Sequence, residues 1–394
     1  MGITIAIIIS TPSYRQDLIT LFSNRWCRTI PLLFLIALFG CLWSPASLAE
    51  KGLVLEKWSK LLYLPILIVG FQEPKTRRMA LQAFLVAMLI TCTLSLLIHY
   101  TSYFHTVKSH SGGLFRNHIM TGIMMSFATY LTGLFFFREQ GITRIIYLCL
   151  GLLFSYQTLF LSHSRTGYVI YIVLMSVLII QMFSKRRALI GLICLSAVFA
   201  SCYSLSQPMQ DGVKRVFDNL SSYGHNKDTS IGFRLQFHDY AKHLFQLHPL
   251  IGGGTGSFTY EFRTENPVPS WSAASPGHSG RLLEPHSQYW LVAAEFGVLG
   301  LIALMLFYTE LLIMAYRLDT MRPMALAILL LLAIGNISDS LLFYSGSGYF
   351  FILFLALCFS EKTAPVIAST KRYNSKPLNN ATKNSNTIMI TEQG

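Results

Sequence analysis

Charge is what this sequence has least of. Only 12% of its 394 residues are Asp, Glu, Lys or Arg, about half the share of a typical soluble domain, which carries roughly 25%. Acids are the scarcer sign, 18 against 31 Lys and Arg. A soluble globular enzyme is excluded, because its surface could not be built from so few charges. There is no CxxC pair and no metal-ligand spacing. The seven cysteines, at 27, 41, 92, 149, 194, 202 and 358, lie in or beside apolar runs and read as small hydrophobes. That excludes a disulfide scaffold and a thiolate metal site. No internal repeat of fixed period occurs, which excludes a solenoid.

What is present is apolar. Hydrophobic residues make up 53% of the chain, with 28 Phe and a mean hydropathy of +0.48. They fall in blocks of the length a membrane-spanning helix needs, about 20 residues. Ten runs are legible: 30–48, 52–71, 79–99, 118–137, 144–162, 166–184, 188–206, 287–316, 323–344 and 346–360. Residues 3–23 could add an interfacial or eleventh helix, and do not read as a signal peptide. The expected fold class is an all-α polytopic membrane protein with about 10–12 transmembrane helices. Its expected segments are an N-terminus (1–29), seven helices (30–206), a large loop with amphipathic helices (207–286), three helices (287–360) and a disordered tail (361–394).

The formal charge of +13 could suggest nucleic acid, but its distribution argues otherwise. Arg77–Arg78, Arg138 with Arg144, Lys185–Arg186–Arg187, Arg317 with Arg322 and Lys371–Arg372 sit in short gaps between apolar runs. They form no single binding face, so no nucleic-acid partner is expected. With the N-terminus inside, all of these gaps fall on one side, as the positive-inside rule requires. Both termini are then cytoplasmic. Residues 100–117 and 206–286 fall outside, and the second loop is neutral, with seven basic and seven acidic residues. Within it, 208–222 and 231–248 read as helices.

Loops that long carry function more often than the elements they join. Three residues stand out around it. Arg165 lies in Leu161-Ser-His-Ser-Arg-Thr-Gly167, a polar break between two apolar helices on the outer side. It reads as an anion site or as an arginine snorkelling to lipid headgroups. Arg234 lies near the start of an amphipathic helix, where free N–H groups and the helix dipole favour anions, or it pairs with Asp239. His286 opens the return into the membrane after Glu284-Pro285. An imidazole there is a candidate general base, although a lone histidine is more often structural. Arg116 and His118 form a further outer cluster, and Glu295 and Asp339 are acids inside apolar helices, where acids are costly. These four are supporting candidates. The run Gly252-Gly253-Gly254-Thr255-Gly256 lacks the Lys-Ser/Thr of a phosphate loop. His238, His243 and His248 are five apart and share no helical face. No metal and no cofactor is expected.

These pieces, in this order, resemble the bacterial O-antigen ligase family, related to O-antigen polymerases and O-linked oligosaccharyltransferases. The matching pieces are Ser164–Gly167, Ser230–Arg234 running to His248-Pro249-Leu250 and the glycines, Pro285-His286-Ser287, Glu295–Gly300, and Ile337-Ser338-Asp339, across roughly 110–345. The resemblance implies a GT-C-like membrane glycosyltransferase. Its donor would be a glycan on undecaprenyl diphosphate and its acceptor lipid A–core, within membrane lipid and without nucleotide or metal. It implies that Arg165 and Arg234 bind the diphosphate and that His286 is catalytic. Ser287 stands where that family often has Asn, and ten clear runs stand against the family's usual twelve or so helices. The remaining alternatives are a polymerase, a protein O-oligosaccharyltransferase, or a lipid-linked glycan flippase. The last should show two similar halves, which are not seen.

Overall fold

The computed structural model describes residues 11–101, 118–274 and 282–374, the last helix by backbone alone beyond 362. Arg116, one of the supporting candidates, lies outside the described residues. Every regular element described is helical, with no strand among them. In chain order they are α1 (Pro12–Phe22), α2 (Arg25–Gly40), α3 (Leu48–Ser59), α4 (Tyr63–Gly70), α5 (Pro74–Tyr100), α6 (His118–Arg138) and α7 (Gly141–Tyr156). Then follow α8 (Arg165–Met182), α9 (Lys185–Leu205), α10 (Gln207–Ser221), α11 (Ser230–Leu247), α12 (Ser257–Glu265), α13 (Pro269–Ala274), α14 (Gln288–Arg317), α15 (Arg322–Ser338) and α16 (Ser345–Asn374).

Six stretches are long and apolar enough to cross a membrane: Pro74–Tyr100, His118–Arg138, Gly141–Leu161, Arg165–Met182, Lys185–Leu205 and Gln288–Arg317, with the shorter apolar Arg322–Ser338 beside them. The described residues are those of a polytopic, helical membrane protein. Several of the ten expected runs are not single helices, and α16 continues to Asn374, into the tail expected to be disordered. Run 30–48 stops at Gly40, and run 52–71 is divided between α3 and α4 by a 3₁₀ turn, Lys60–Leu62. Local chemistry fixes the α3 start. Ser47 Oγ accepts the Glu50 N–H at 3.3 Å while Glu50 Oε2 accepts the Ser47 N–H at 3.0 Å, a capping box. Run 323–344 breaks at Asp339, which closes α15 in an extended conformation. The two helices expected in the long loop are α10 and α11.

The centre of the bundle is α14, packed against α2, α11 and α15. At the opposite extreme, α9 buries only Ala188 and faces outward along its length. Helix α14 is itself broken at Gly297, whose φ of 60° and ψ of −155° lie outside helical space. The backbone groups freed there are satisfied by the glycine run. Gly253 and Gly254 N–H donate to the carbonyls of Ala294 and Glu295 at 3.0 and 2.9 Å. Val298 and Leu299 N–H donate to those of Pro249 and Leu250 at 2.8 and 3.1 Å. Irregular backbone inside a membrane protein persists where partners of this kind re-pair it. A Cβ on Gly252 would sit 2.3 Å from the Glu295 carbonyl carbon, so this close approach requires glycine.

The two ends of the bundle differ chemically. At one end Arg78 Nη2 pairs with Glu139 Oε1 at 3.1 Å and Arg138 Nη2 donates to Thr320 O at 2.6 Å. There the Glu361 carboxylate accepts the N–H groups of Asp319, Thr320 and Met321 at 2.9, 3.0 and 3.3 Å. Basic gaps that are far apart in sequence therefore meet. The opposite end gathers the 162–165 break, the start of α11, the entry to α14 and the segment after α15.

Candidate active site

Arg165 is positioned by an irregular helix ending. Helix α7 runs into a π turn, Gln157–Leu161, a feature frequent near functional sites. Ser162 Oγ then accepts the Ser164 N–H at 3.1 Å, and Ser164 Oγ caps α8 by accepting the Gly167 N–H at 3.0 Å. Gly122 on α6 lies against this cap, where a Cβ would be 2.7 Å from the Ser164 side chain. The backbone under Arg165 is thereby fixed to within a hydrogen bond. Arg165 Nη2 receives one contact across the site, donating to Ser230 Oγ at 3.2 Å. That serine opens α11, whose cap is Thr229 Oγ1 accepting the Gly232 N–H at 3.1 Å. One turn further on stands Arg234.

The two arginines are close enough for their charges to repel each other, and Arg215 on α10 adds a third positive charge near Arg165. His118, exposed at the start of α6, feels both Arg234 and Arg165. Among the described residues neither Arg165 nor Arg234 forms an ion pair, so the Asp239 pairing considered for Arg234 does not occur. Mutually repelling guanidinium groups without a counter-ion cost energy unless an anion is to be held there.

His286 lies close enough to Arg234 to feel its charge. Its backbone has φ 58°, the left-handed region that non-glycine residues avoid. The conformation is held by Glu284, which is 1% exposed. Glu284 Oε2 accepts the His286 N–H at 2.7 Å and the Ser340 hydroxyl at 2.5 Å, and Oε1 accepts the Tyr344 hydroxyl at 2.6 Å. His286 Nδ1 lies 3.2 Å from Glu284 Oε1 and 3.5 Å from Asp339 Oδ1. Both contacts are within charge-pairing range, and neither is aligned as a hydrogen bond. Phe237 stacks on the imidazole at 6.0 Å.

Burial works against a charged imidazole here. The Glu284 charge and the Asp339 contact outweigh it, with Arg234 opposing them, and His286 is held above its ordinary value. His238 is its opposite. Burial, helped by the neighbouring charges of His286 and Arg234, holds it below the ordinary value, although its Nε2 donates to the His286 carbonyl at 3.2 Å. Arg234 is thus the link. It influences Arg165, His118, His238 and His286 together.

Among the described residues, Glu284, His286 and Asp339 are the one set of three such side chains with donor atoms all within 4.8 Å, close enough to hold a cation. Glu284, however, already turns both oxygens to three hydrogen-bond donors, which suits a carboxylate serving an imidazolium.

Residues 150–305 match the family model described as O-antigen ligase. This segment of the chain is similar to the O-antigen ligase family. The matched segment holds Arg165, Arg234, Glu284 and His286, while Asp339, Ser340 and Tyr344 come from beyond it. The similarity supports an activity of the O-antigen ligase and polymerase type. No match to a curated protein is found.

Of the supporting candidates, Asp339 joins His286 and His118 joins the arginines. Glu295 does neither: it is fully buried in α14, where Oε1 accepts the Gly256 N–H at 3.0 Å and so ties the glycine loop to the kink. Sequence reading missed Glu284, Ser340, Tyr344 and His238. Only Glu284 carried a signal, its position two residues before His286. Ser287 is buried and donates to the Asn336 carbonyl at 3.4 Å, a structural contact.

Proposed function

We propose that this protein is an O-antigen ligase that transfers a glycan from undecaprenyl diphosphate to lipid A–core at the periplasmic face of the bacterial inner membrane. The observation that carries the reading is the pair Arg165 and Arg234, without a carboxylate partner among the described residues, with Arg234 near an imidazole backed by two acids. Cleavage of the sugar–diphosphate bond leaves negative charge on the lipid diphosphate. Two guanidinium groups fixed before the reaction stabilise that charge most strongly in a site of low dielectric. The acceptor hydroxyl must lose its proton as it attacks. With Nδ1 turned toward Glu284 and Asp339, the remaining His286 nitrogen, Nε2, takes that proton, a contribution of about 10²–10⁴-fold. The new glycosidic bond forms as the bond to the diphosphate oxygen breaks, and the electron pair leaves on the diphosphate. A single displacement inverts the anomeric centre. The activated bond supplies the driving force, so no nucleotide or metal is called on.

The side of the membrane follows from charge. The site lies at the end opposite to the gathered basic gaps, and such gaps stay cytoplasmic. Both termini are then cytoplasmic and the site periplasmic. The test is the surface glycolipid ladder of a deletion strain, complemented with wild-type protein or His286→Ala. Loss of all long-chain glycoforms, with polymerised glycan left on the lipid carrier and no rescue by His286→Ala, is expected. A core bearing one repeat unit would make it a polymerase instead. An unchanged ladder would remove both.

A further inference from the structure

We infer that the outer end holds a second site, separate from the arginine cluster, that binds a neutral, hydroxyl-rich sugar unit of a glycan substrate. It is a cavity of about 460 Å³ between the α2–α3 turn, the C-terminal end of α11, the glycine loop and α12. Its walls include Trp43, His248, Gly253, Ser257, Glu261 and Glu265. The volume falls in the range of small-molecule sites, roughly 300–1,000 Å³.

Four features point to a sugar. Trp43 is 40% exposed, its Nε1 is anchored by donation to the Gly252 carbonyl at 3.1 Å, and no described ring stacks on it. An indole face held this way offers the negative side of its quadrupole to the C–H face of a pyranose. Ser257 is 2% exposed, yet its Oγ has no hydrogen-bond partner. That hydroxyl packs against Gly253, where a Cβ would come within 2.7 Å of it. Glu261 and Glu265 are one helical turn apart; Glu265 Oε2 accepts the Tyr240 hydroxyl at 2.9 Å, and neither carboxylate forms an ion pair among the described residues, Arg263 between them pairing with Glu50 at 3.3 Å. Burial and the neighbouring Glu265 hold the Glu261 carboxyl above its ordinary value, against the pull of His248. Carboxylates accept only, and sugar hydroxyls donate strongly to them.

The acidic walls would repel a diphosphate, which separates this cavity from the arginine cluster. Arg234 and His248 lie fourteen residues apart on and just past α11, about 20 Å along the helix axis. A sugar bound here is therefore remote from the reacting bond. Remote contacts supply binding energy that positions the reacting centre. This role rests on the glycosyl-transfer reading, whereas sugar binding itself does not.

The test uses the full chain in lipid nanodiscs. Binding is measured for three probes: lipid-free core oligosaccharide, lipid-free O-antigen repeat oligosaccharide, and undecaprenyl diphosphate without sugar. One of the two oligosaccharides is expected to bind, and which one does assigns the site to acceptor or donor. Trp43→Ala, Ser257→Val and Glu261→Gln should each weaken it at least tenfold and leave undecaprenyl diphosphate binding unchanged. Glu261→Gln preserves shape and guards against a folding defect, which melting and gel filtration would reveal. No oligosaccharide binding to the wild type, equal binding by wild type and all three variants, or binding abolished by EDTA would overturn the inference. Failure of undecaprenyl diphosphate alone to bind would count against the proposed function and leave the sugar site standing.

Discussion

Replacing Glu284 tests whether the carboxylate poises His286 or merely fills space. In Glu284→Ala the His286 N–H, the Ser340 hydroxyl and the Tyr344 hydroxyl lose their acceptor together. A buried donor left unpaired costs about 1–3 kcal/mol, so the three together cost about 3–5 kcal/mol after some rehydration. That is a large part of the stability of any domain. Glu284→Gln is gentler. Its amide oxygen can still accept the His286 N–H, and the Tyr344 hydroxyl can turn to accept from the amide nitrogen, so the loss should be about 1–2 kcal/mol. The charge, however, is gone. Glu284 is the largest of the influences that raise the His286 imidazole. A base works when neutral, so transfer by the wild type should rise with pH along a limb above the ordinary imidazole value of 6.5. In Glu284→Gln that limb should move to lower pH, and the plateau rate should fall by about 10²-fold as the imidazole loses its orientation. The linkage has a fixed sign. Because the folded value is raised, the pairing stabilises the fold fully at acid pH and fades as pH rises through that value. The assay is transfer from purified lipid-linked donor to lipid A–core between pH 5 and 9, with melting temperature beside it. A Glu284→Gln protein with wild-type rate and limb would refute the reasoning.

Other outcomes follow from the same geometry. His286→Ala and His286→Gly should both lose transfer, but the glycine variant should melt higher, because it takes φ 58° without strain worth about 1 kcal/mol. Thermal melts of the pair in one detergent check this. Arg165→Lys and Arg234→Lys keep charge but lose the bidentate fork, so the donor KM should rise about tenfold while the fold is retained. Arg234→Ala should in addition move the pH limb upward, since its charge now opposes a charged His286. Gly297→Ala should destabilise by about 3 kcal/mol or fail to accumulate, as its Cβ would meet the Leu250 carbonyl carbon at 2.5 Å in a positive-φ position.

The class of the molecule is legible from composition and charge pattern alone. Blocks of apolar residues with basic gaps can be stable only as helices in lipid, because no water is available there to satisfy an open backbone. Arg165, Arg234 and His286 were also legible, since ionisable residues at the ends of apolar helices stand out against so little charge. Other features were decided by tertiary packing. Run 52–71 is mostly apolar, with Glu56, Lys57 and Lys60 inside it, and it divides into α3 and α4 at the 3₁₀ turn that Lys60 opens. The glycine run at 252–256 lacks the marks of a phosphate loop, and its purpose is visible only where it re-pairs the break in α14. Glu295 and Asp339 read alike, as acids inside apolar helices. Packing sends one to the glycine loop and the other to His286. Asp339 and Tyr344 lie more than fifty residues beyond His286, and no local spacing signals that the return after α15 brings them to it. A side chain's partners across a bundle depend on helix rotation and crossing, which the linear sequence encodes only through the packing of the whole.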